Sequence, residues 1–541
     1  TEIVAPRTPL EERLAAVWSE VLGVDRVGVE DSFFELGGDS IRVVRLVGAL
    51  RAAGYDVDVR SVYQHATIAD LGTYISGKET GESLVTAVEP FALIGDEDRA
   101  ALPAGVVDAY PLSQIQTGML VEMLAAQERG ESAYLNISSF RIPDAEPFDA
   151  AAFTEAAAVV AGRHEALRTS MHLSGYSRPM QLVHADTRMP VALHDLRGLD
   201  STQQIKALRA FSVKEHAAAF DLGTAPLLRI AIHLESDEAW RLTFTYNHAI
   251  AEGWSYHSLL MELLASYQHL RDGRELPAYE APTVRYADFI AAELESLASE
   301  EDRAFWRGIV DNHVPAQLPD SWADSETAGA REPLGTDVAF GDLEDGLRTL
   351  AARARTSLKS VLLAAHVKVL GMLSTERAFH TGVVYHGRLE APGAERVLGM
   401  HLNTLPFPAT RASGTWRQLV EQVFAQEAET WAHRRYPLPA VQRDSGQSGR
   451  LIAVLFEYLD FHQVDTETVD MAGNLNVGGN EFALNVAAVG RRIMLNTTSD
   501  VVGREALGRL AGMYRLVLEA MAADPEGDAS GVVLAEAERV A

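Results

Sequence analysis

Asn247-His248-Ala249-Ile250-Ala251-Glu252-Gly253-Trp254-Ser255 is the stretch on which the fold of this chain turns. Before it runs Leu242-Thr243-Phe244-Thr245-Tyr246, an alternating apolar segment that predicts a β-strand. After it, Leu259, Leu260, Leu263, Leu264 and Tyr267 recur at helical spacing through Tyr256 to Leu270. A histidine therefore leaves the end of a strand, and a Gly-Trp-Ser turn leads into a helix. Rigid scaffolds present reactive side chains from such junctions. A lone histidine also serves as a satisfied core residue, so the rest of the chain decides between the two readings.

With 541 residues the chain exceeds one ordinary core, and several domains are expected. Its 47% hydrophobic and 23% charged content is that of a soluble globular protein. A net charge of −29, from 76 acidic and 47 basic residues, argues against nucleic acid or an anionic membrane as partner. The chain has no cysteine, which removes disulfides, thiolate metal sites and a Cys nucleophile. No metal site is expected. No apolar run is long enough to span a bilayer. Thr1-Glu2-Ile3-Val4-Ala5-Pro6-Arg7 lacks the apolar core of a signal peptide and reads as a linker within a longer chain, so a cytoplasmic setting is expected.

Residues 8–76 predict a small all-α four-helix bundle. Leu10, Leu14, Val17, Trp18, Val21 and Leu22 share one helical face, with Thr8 as N-cap and Pro9 at the first helical position. Asp31-Ser32-Phe33-Phe34-Glu35-Leu36-Gly37-Gly38-Asp39-Ser40-Ile41 follows, its paired glycines free to turn sharply. A helix from Ser40 through Val43, Val44, Leu46, Val47 and Leu50, a short turn at Val62 to His65 and a helix from Ile68 to Ile75 complete the unit. Asp39 and Ser40 both suit an N-cap. Residues 77–107 read as a linker; the polar, Gly-containing run Ser76 to Ser83 predicts a flexible tether.

The remainder is longer. Asp108-Ala109-Tyr110-Pro111-Leu112-Ser113-Gln114-Ile115-Gln116-Thr117-Gly118-Met119-Leu120 predicts a capped amphipathic helix with Leu112, Ile115, Met119 and Leu120 in the core. Arg163-His164-Glu165-Ala166-Leu167-Arg168-Thr169 follows an Ala-rich helix, and its Arg and Glu are expected to satisfy each other. Further on stand an apolar helix at Val361 to Leu373 and a strand ending in Tyr385-His386-Gly387-Arg388. Leu398-Gly399-Met400-His401-Leu402-Asn403-Thr404-Leu405-Pro406 comes next.

Phe33 to Ser40 resembles the attachment site of a peptidyl carrier domain, which implies 4′-phosphopantetheine on Ser40, placed by a phosphopantetheinyl transferase. The opening stretch resembles the His-His-x-x-x-Asp-Gly-Trp-Ser signature of condensation domains from non-ribosomal peptide synthetases. His248 matches its second His, and Gly253, Trp254 and Ser255 match in place. Asn247 stands where the family has its first His, and Glu252 where it has Asp. Asp108 to Leu120, Arg163 to Thr169, Gly387-Arg388 and Leu398 to Pro406 resemble further motifs of that family, and His433 to Pro439 does so loosely. The first of these looks more like condensation domains that take D-configured donors. Val532 to Val540 looks like the start of a linker into an adenylation domain.

The resemblance implies a two-lobed α/β condensation domain, each lobe similar to chloramphenicol acetyltransferase, with lobes at 108–275 and 276–541 and His248 in a tunnel between them. It implies peptide-bond formation: a donor acyl or peptidyl thioester on the carrier passes to the amine of an aminoacyl thioester on a downstream carrier. An upstream adenylation domain, and a downstream adenylation domain with its acceptor carrier, are the implied partners. His248 is the expected proton-handling group. Backbone N–H groups around Gly253 are expected to face the developing oxyanion. Asn247, Glu252, Trp254, Ser255, Arg388 and Asn403 are expected to hold the site, with Glu252 paired to Arg388 across the lobes. Asn247 keeps a donor and an acceptor but cannot titrate. Two other readings stand beside this one: an epimerisation domain, and a catalytically degenerate docking platform suggested by Asn247 and Glu252. A cyclisation domain would carry Asp-x-x-x-x-Asp in place of the His motif, which is absent here.

Overall fold

The computed structural model describes residues 4–76, 87–128, 134–323, 332–459, 464–477 and 482–534. Four helices form the N-terminal unit: α1 (Pro9–Leu22), α2 (Ser40–Ala52), α3 (Val59–Gln64) and α4 (Ile68–Ser76). Thr8 caps α1 by accepting the Glu11 N–H at 3.1 Å, and Gly23 ends it with a left-handed φ of 69°. The turn expected at Val62 to His65 lies largely inside α3, which Asp58 caps through Ser61 N at 2.7 Å. Leu14, Trp18, Phe33, Val43, Leu46, Val62 and Leu71 are fully buried between the helices. Trp18 and Phe33 meet edge to face at 5.0 Å. Phe33 also explains Gly38: a Cβ there would lie 2.2 Å from the Phe33 ring.

The second half of the linker expected over 77–107 packs on the domain that follows. Its polar run at 77–86 lies outside the described residues. From residue 87 onward the chain is packed rather than tethered. Val88 N–H donates to Asp288 at 2.6 Å, Phe91 N–H to Asp108 at 2.7 Å, and a short helix spans Asp96–Ala100. Phe91, Ile94 and Leu102 pack on Ala109, Met180 and Leu182.

Among the described residues, three sheets organise the rest. A five-stranded sheet runs in the order Asp470–Val477, Leu135–Pro143, Ala239–Asn247, Leu228–Leu234, Val191–Asp195. Its middle strand, Ala239–Asn247, is buried at every position. It pairs antiparallel with Leu135–Pro143 from Leu135 opposite Asn247 to Pro143 opposite Ala239. Helices Ala150–Arg163 and Gly253–Arg271 pack against each other within this lobe. A seven-stranded sheet forms the second lobe, with the path Leu402–Thr410, Ala378–His386, Val454–Leu459, Leu484–Val489, Arg492–Thr498, Pro333–Ala339 and Val314–Pro315 alongside Ala378–His386. A three-stranded sheet, Val106–Pro111, Met180–His184, Thr169–His172, completes the set.

The division at 275/276 does not describe strand Asp470–Val477. It comes from the second lobe's sequence yet pairs antiparallel with Leu135–Pro143 at the edge of the first lobe's sheet. The Arg163–Glu165 pairing is also corrected. Arg163 and His164 both reach Glu262, at 2.8 and 2.6 Å, while Glu165 meets Arg285 at 3.2 Å. These residues tie helices together, and the spacing along the chain does not decide their partners. The tail from 535, including most of the expected linker Val532 to Val540, lies outside the described residues. Among the described residues, no single helix is long and apolar enough to cross a membrane.

Candidate active site

The strand Ala239–Asn247 ends by turning into a single 3-10 turn, His248–Ile250. Asn247 makes that turn. Its side-chain oxygen accepts the Ala249 N–H at 2.9 Å, and its Nδ2 points at the Met123 sulfur at 3.2 Å. It is 1% exposed and looks into the core. The His248 N–H donates to the Tyr134 carbonyl at 2.8 Å, which fixes the backbone beneath the imidazole. His248 Nδ1 lies 3.0 Å from the Ala251 carbonyl oxygen. A carbonyl only accepts, so Nδ1 carries the proton and the neutral ring keeps its basic lone pair on Nε2.

Glu252 is the N-cap of helix Gly253–Arg271, with its Oε2 accepting from Trp254 N at 2.6 Å. Its other oxygen accepts from Arg388 Nη2 at 2.5 Å and from Ser255 Oγ at 2.9 Å. Both side chains of the ion pair are almost sealed from water, at 3% and 1% exposure. Arg388 spends its other amino group on the carbonyls of Ala394 at 3.0 Å and Val397 at 2.7 Å. Ser255 bridges to Gly399, and the Trp254 indole N–H donates to the Glu395 carbonyl at 2.9 Å. The carboxylate, the guanidinium and the segment 394–399 thus hold the loop from beneath. Gly253 is the first residue of the helix, where N–H groups have no partner within the helix and point outward.

Asn403 sits elsewhere. Its Nδ2 donates to the Arg434 and Tyr436 carbonyls, at 2.9 and 2.8 Å, and its oxygen accepts from Leu438 N at 3.1 Å. It clamps the segment of the loose final motif. His433 of that motif stacks on Phe305 at 4.0 Å and bonds Asp302 at 2.6 Å. One buried residue that the apolar pattern passed over is Gln116. It is 1% exposed, donates to the Ala249 carbonyl at 2.9 Å and so supports the His248 turn. A glutamine on the inward face of an amphipathic helix was the available signal. His257, one turn along from Gly253, is held near a pKa of about 4 by burial and stays neutral.

In the N-terminal unit, Asp39 and not Ser40 caps α2, accepting from Ile41 N at 2.8 Å and Arg42 N at 2.9 Å. Ser40 is the first residue of the helix and its hydroxyl is not spent on the cap. A covalent arm at Ser40 fits this arrangement. The unit is seated on the second lobe: Phe34 and Tyr63 meet Phe424 at 5.3 and 5.2 Å, and Tyr63 meets Trp431 at 6.1 Å. The Ser40 backbone carbonyl faces the buried ring of His386.

Residues 106–539 match the condensation domain family, and residues 12–75 match the phosphopantetheine attachment site family. This chain belongs to the condensation domain family, with a phosphopantetheine attachment site domain ahead of it. It is 34% identical over 544 residues to the AMB antimetabolite synthetase of Pseudomonas aeruginosa, covering 96% of this chain and 25% of that protein. It is 26% identical over 560 residues to tyrocidine synthase 3 of Brevibacillus parabrevis, covering 100% of this chain and 8% of that one. The chain therefore spans a minor part of these relatives. The fold is that of the first condensation domain of the calcium-dependent antibiotic synthetase in complex with a substrate analogue, at a TM-score of 0.63 and 22% identity, covering 79% of this chain and 100% of that chain. The starter condensation domain of rhizomide synthetase is similar at 0.61 and 21%, covering 79% of this chain and 98% of that one.

Proposed function

We propose that this chain forms an amide between a donor group on its own carrier and the amine of an aminoacyl group on a downstream carrier. Bound at Ser40, the arm supplies a thiol that holds the donor as a thioester, whose carbonyl carbon the acceptor amine attacks. In the balance the C–N bond forms, the C–S bond breaks, and the proton lost by nitrogen ends on sulfur. His248 Nε2 holds or takes that amine proton while Nδ1 stays bound to the Ala251 carbonyl. The Gly253 N–H meets the charge that develops on the carbonyl oxygen. Asn247, Glu252, Trp254, Ser255 and Arg388 fix the loop. The reading sets the chain in the cytoplasm, beside a phosphopantetheinyl transferase, an upstream adenylation domain, and a downstream adenylation domain with its carrier.

The observation that carries the reading is the fixed tautomer of His248 above an intact Glu252–Arg388 pair. Glu252 occupies the cap and the ion pair together, so the departure from Asp leaves a built site, which weighs against a degenerate docking platform. The test uses the loaded chain and a loaded acceptor carrier. Wild type should give extended product. His248→Ala should load normally and lose about 10²–10⁴-fold in extension rate. An inverted donor residue without extension would assign epimerisation, and neither product would leave the platform reading. Intact mass should show Ser40→Ala gaining no arm; a gain would move the attachment site.

A further inference from the structure

Segment 389–397 lies between the carrier and the candidate active site. On its outer side sits α2. A Cβ at Gly48 would lie 2.8, 3.1 and 3.2 Å from Ala391 C, O and Cα, so helix and segment touch backbone to backbone with no room for a side chain. Arg45, one turn earlier on α2, stands 3.6 Å from Glu395. On its inner side the same segment supplies the carbonyls of Ala394, Glu395 and Val397, which receive Arg388 and the Trp254 indole. Its start is fixed by Glu390, bound to Arg434 at 2.7 Å and Arg435 at 2.8 Å. Glu395 thus faces the carrier with its carboxylate and the Trp254 turn with its carbonyl.

We propose that Gly48 and Glu395 are positioning residues: the seated carrier presses segment 389–397 onto Trp254 and Arg388, and so sets the loop that presents His248. This rests on the amide-forming reading above. Its physical basis is that packed backbone contacts transmit displacement, since neither partner has a flexible side chain to absorb it. Delivery alone gives a different expectation. A carrier that only brings substrate is irrelevant to a donor that never rides on it.

The test therefore uses the full chain without its arm, a free acyl thioester of a small thiol as donor, and a free aminoacyl thioester as acceptor. Gly48→Leu should lower kcat at least about fivefold while changing KM for either substrate less than about twofold. Arg45→Glu should act in the same direction and more weakly. Gly48→Ala favours helix and so keeps α2 formed, yet its Cβ still meets the Ala391 backbone; it should lower kcat in the same direction, and an unchanged kcat would count against the proposal. Modification of Ser40 in each variant, read by intact mass, confirms a folded carrier. In parallel, the chain labelled with 5-fluorotryptophan reports Trp254 by ¹⁹F NMR, assigned through Trp254→Phe, and Gly48→Leu should shift that resonance. An unmoved resonance overturns the proposal, as does an unchanged or raised kcat. Should wild type and His248→Ala both make no amide, the amide-forming reading fails instead, and the Trp254 resonance alone decides the coupling.

Discussion

Two acidic residues in this molecule do the same local work with different consequences. Asp39 caps α2 and Glu252 caps helix Gly253–Arg271, each by a carboxylate oxygen that accepts first-turn N–H groups. The second oxygen separates them. That of Asp39 is 3.6 Å from Arg42, on the same helix, and both side chains are about one-fifth exposed. That of Glu252 is sealed against Arg388, 136 residues away in sequence and in the other lobe. A cap is a property of four residues; a buried ion pair is a property of the whole fold. Burial makes the second kind costly to break, because the partner's charge cannot return to water.

That contrast is best broken at its heavier end. Glu252→Gln keeps an acceptor for the Trp254 N–H but leaves the Arg388 guanidinium without its counter-charge. It should cost about 3–5 kcal/mol, read as a fall in denaturant midpoint, with activity falling alongside. Full stability with lost activity would instead place Glu252 in the chemistry. Glu293 offers a third kind of carboxyl, 5% exposed, whose hydrogen bond comes from the Gln114 amide rather than a guanidinium. Burial raises its pKa from 4.5 to about 7. Its folded state holds the proton more tightly than the unfolded chain, so the stability it confers is full below pH 4.5 and is lost as pH rises through about 7. Glu293→Gln should therefore exceed wild type by under about 1 kcal/mol at pH 5 and by about 3 kcal/mol at pH 8, measured by paired melts. Asp39→Ala removes a cap and a partly exposed contact with Arg42, and should cost about 1 kcal/mol in the carrier transition. Asp39→Asn, which can still accept, should change it by no more than a few tenths. A loss near that of Glu252→Gln would erase the distinction.

The same distinction governs how much of the molecule was legible in the sequence. Thr8, Pro9 and the apolar face of Leu14, Trp18 and Leu22 set out α1 because caps and periodicity are local. The strand, turn and helix around His248 followed for the same reason. Glu252 and Arg388 were brought together only by the family resemblance, since no spacing links positions 252 and 388. Where neither local pattern nor resemblance reached, expectation and structure part. Arg163 and Glu165 look like partners along the chain, yet helical geometry turns them to Glu262 and Arg285. Gln116 was hidden in an apolar face. The contact of Phe34 and Tyr63 with Phe424 and Trp431 joins two domains whose sequences each look complete.

The strand Asp470–Val477 has a practical consequence for anyone recombining synthetases. A crossover placed at 275/276 would hand the first lobe's sheet a strand from a foreign parent, or strip it away. Leu135–Pro143 would then stand as a bare edge, its outward N–H and C=O groups open to pairing with another molecule. Chimaeras that exchange the first lobe should carry its borrowed strand with it, as two inserts moved together. A library cut at the lobe boundary alone selects against itself before any question of substrate arises.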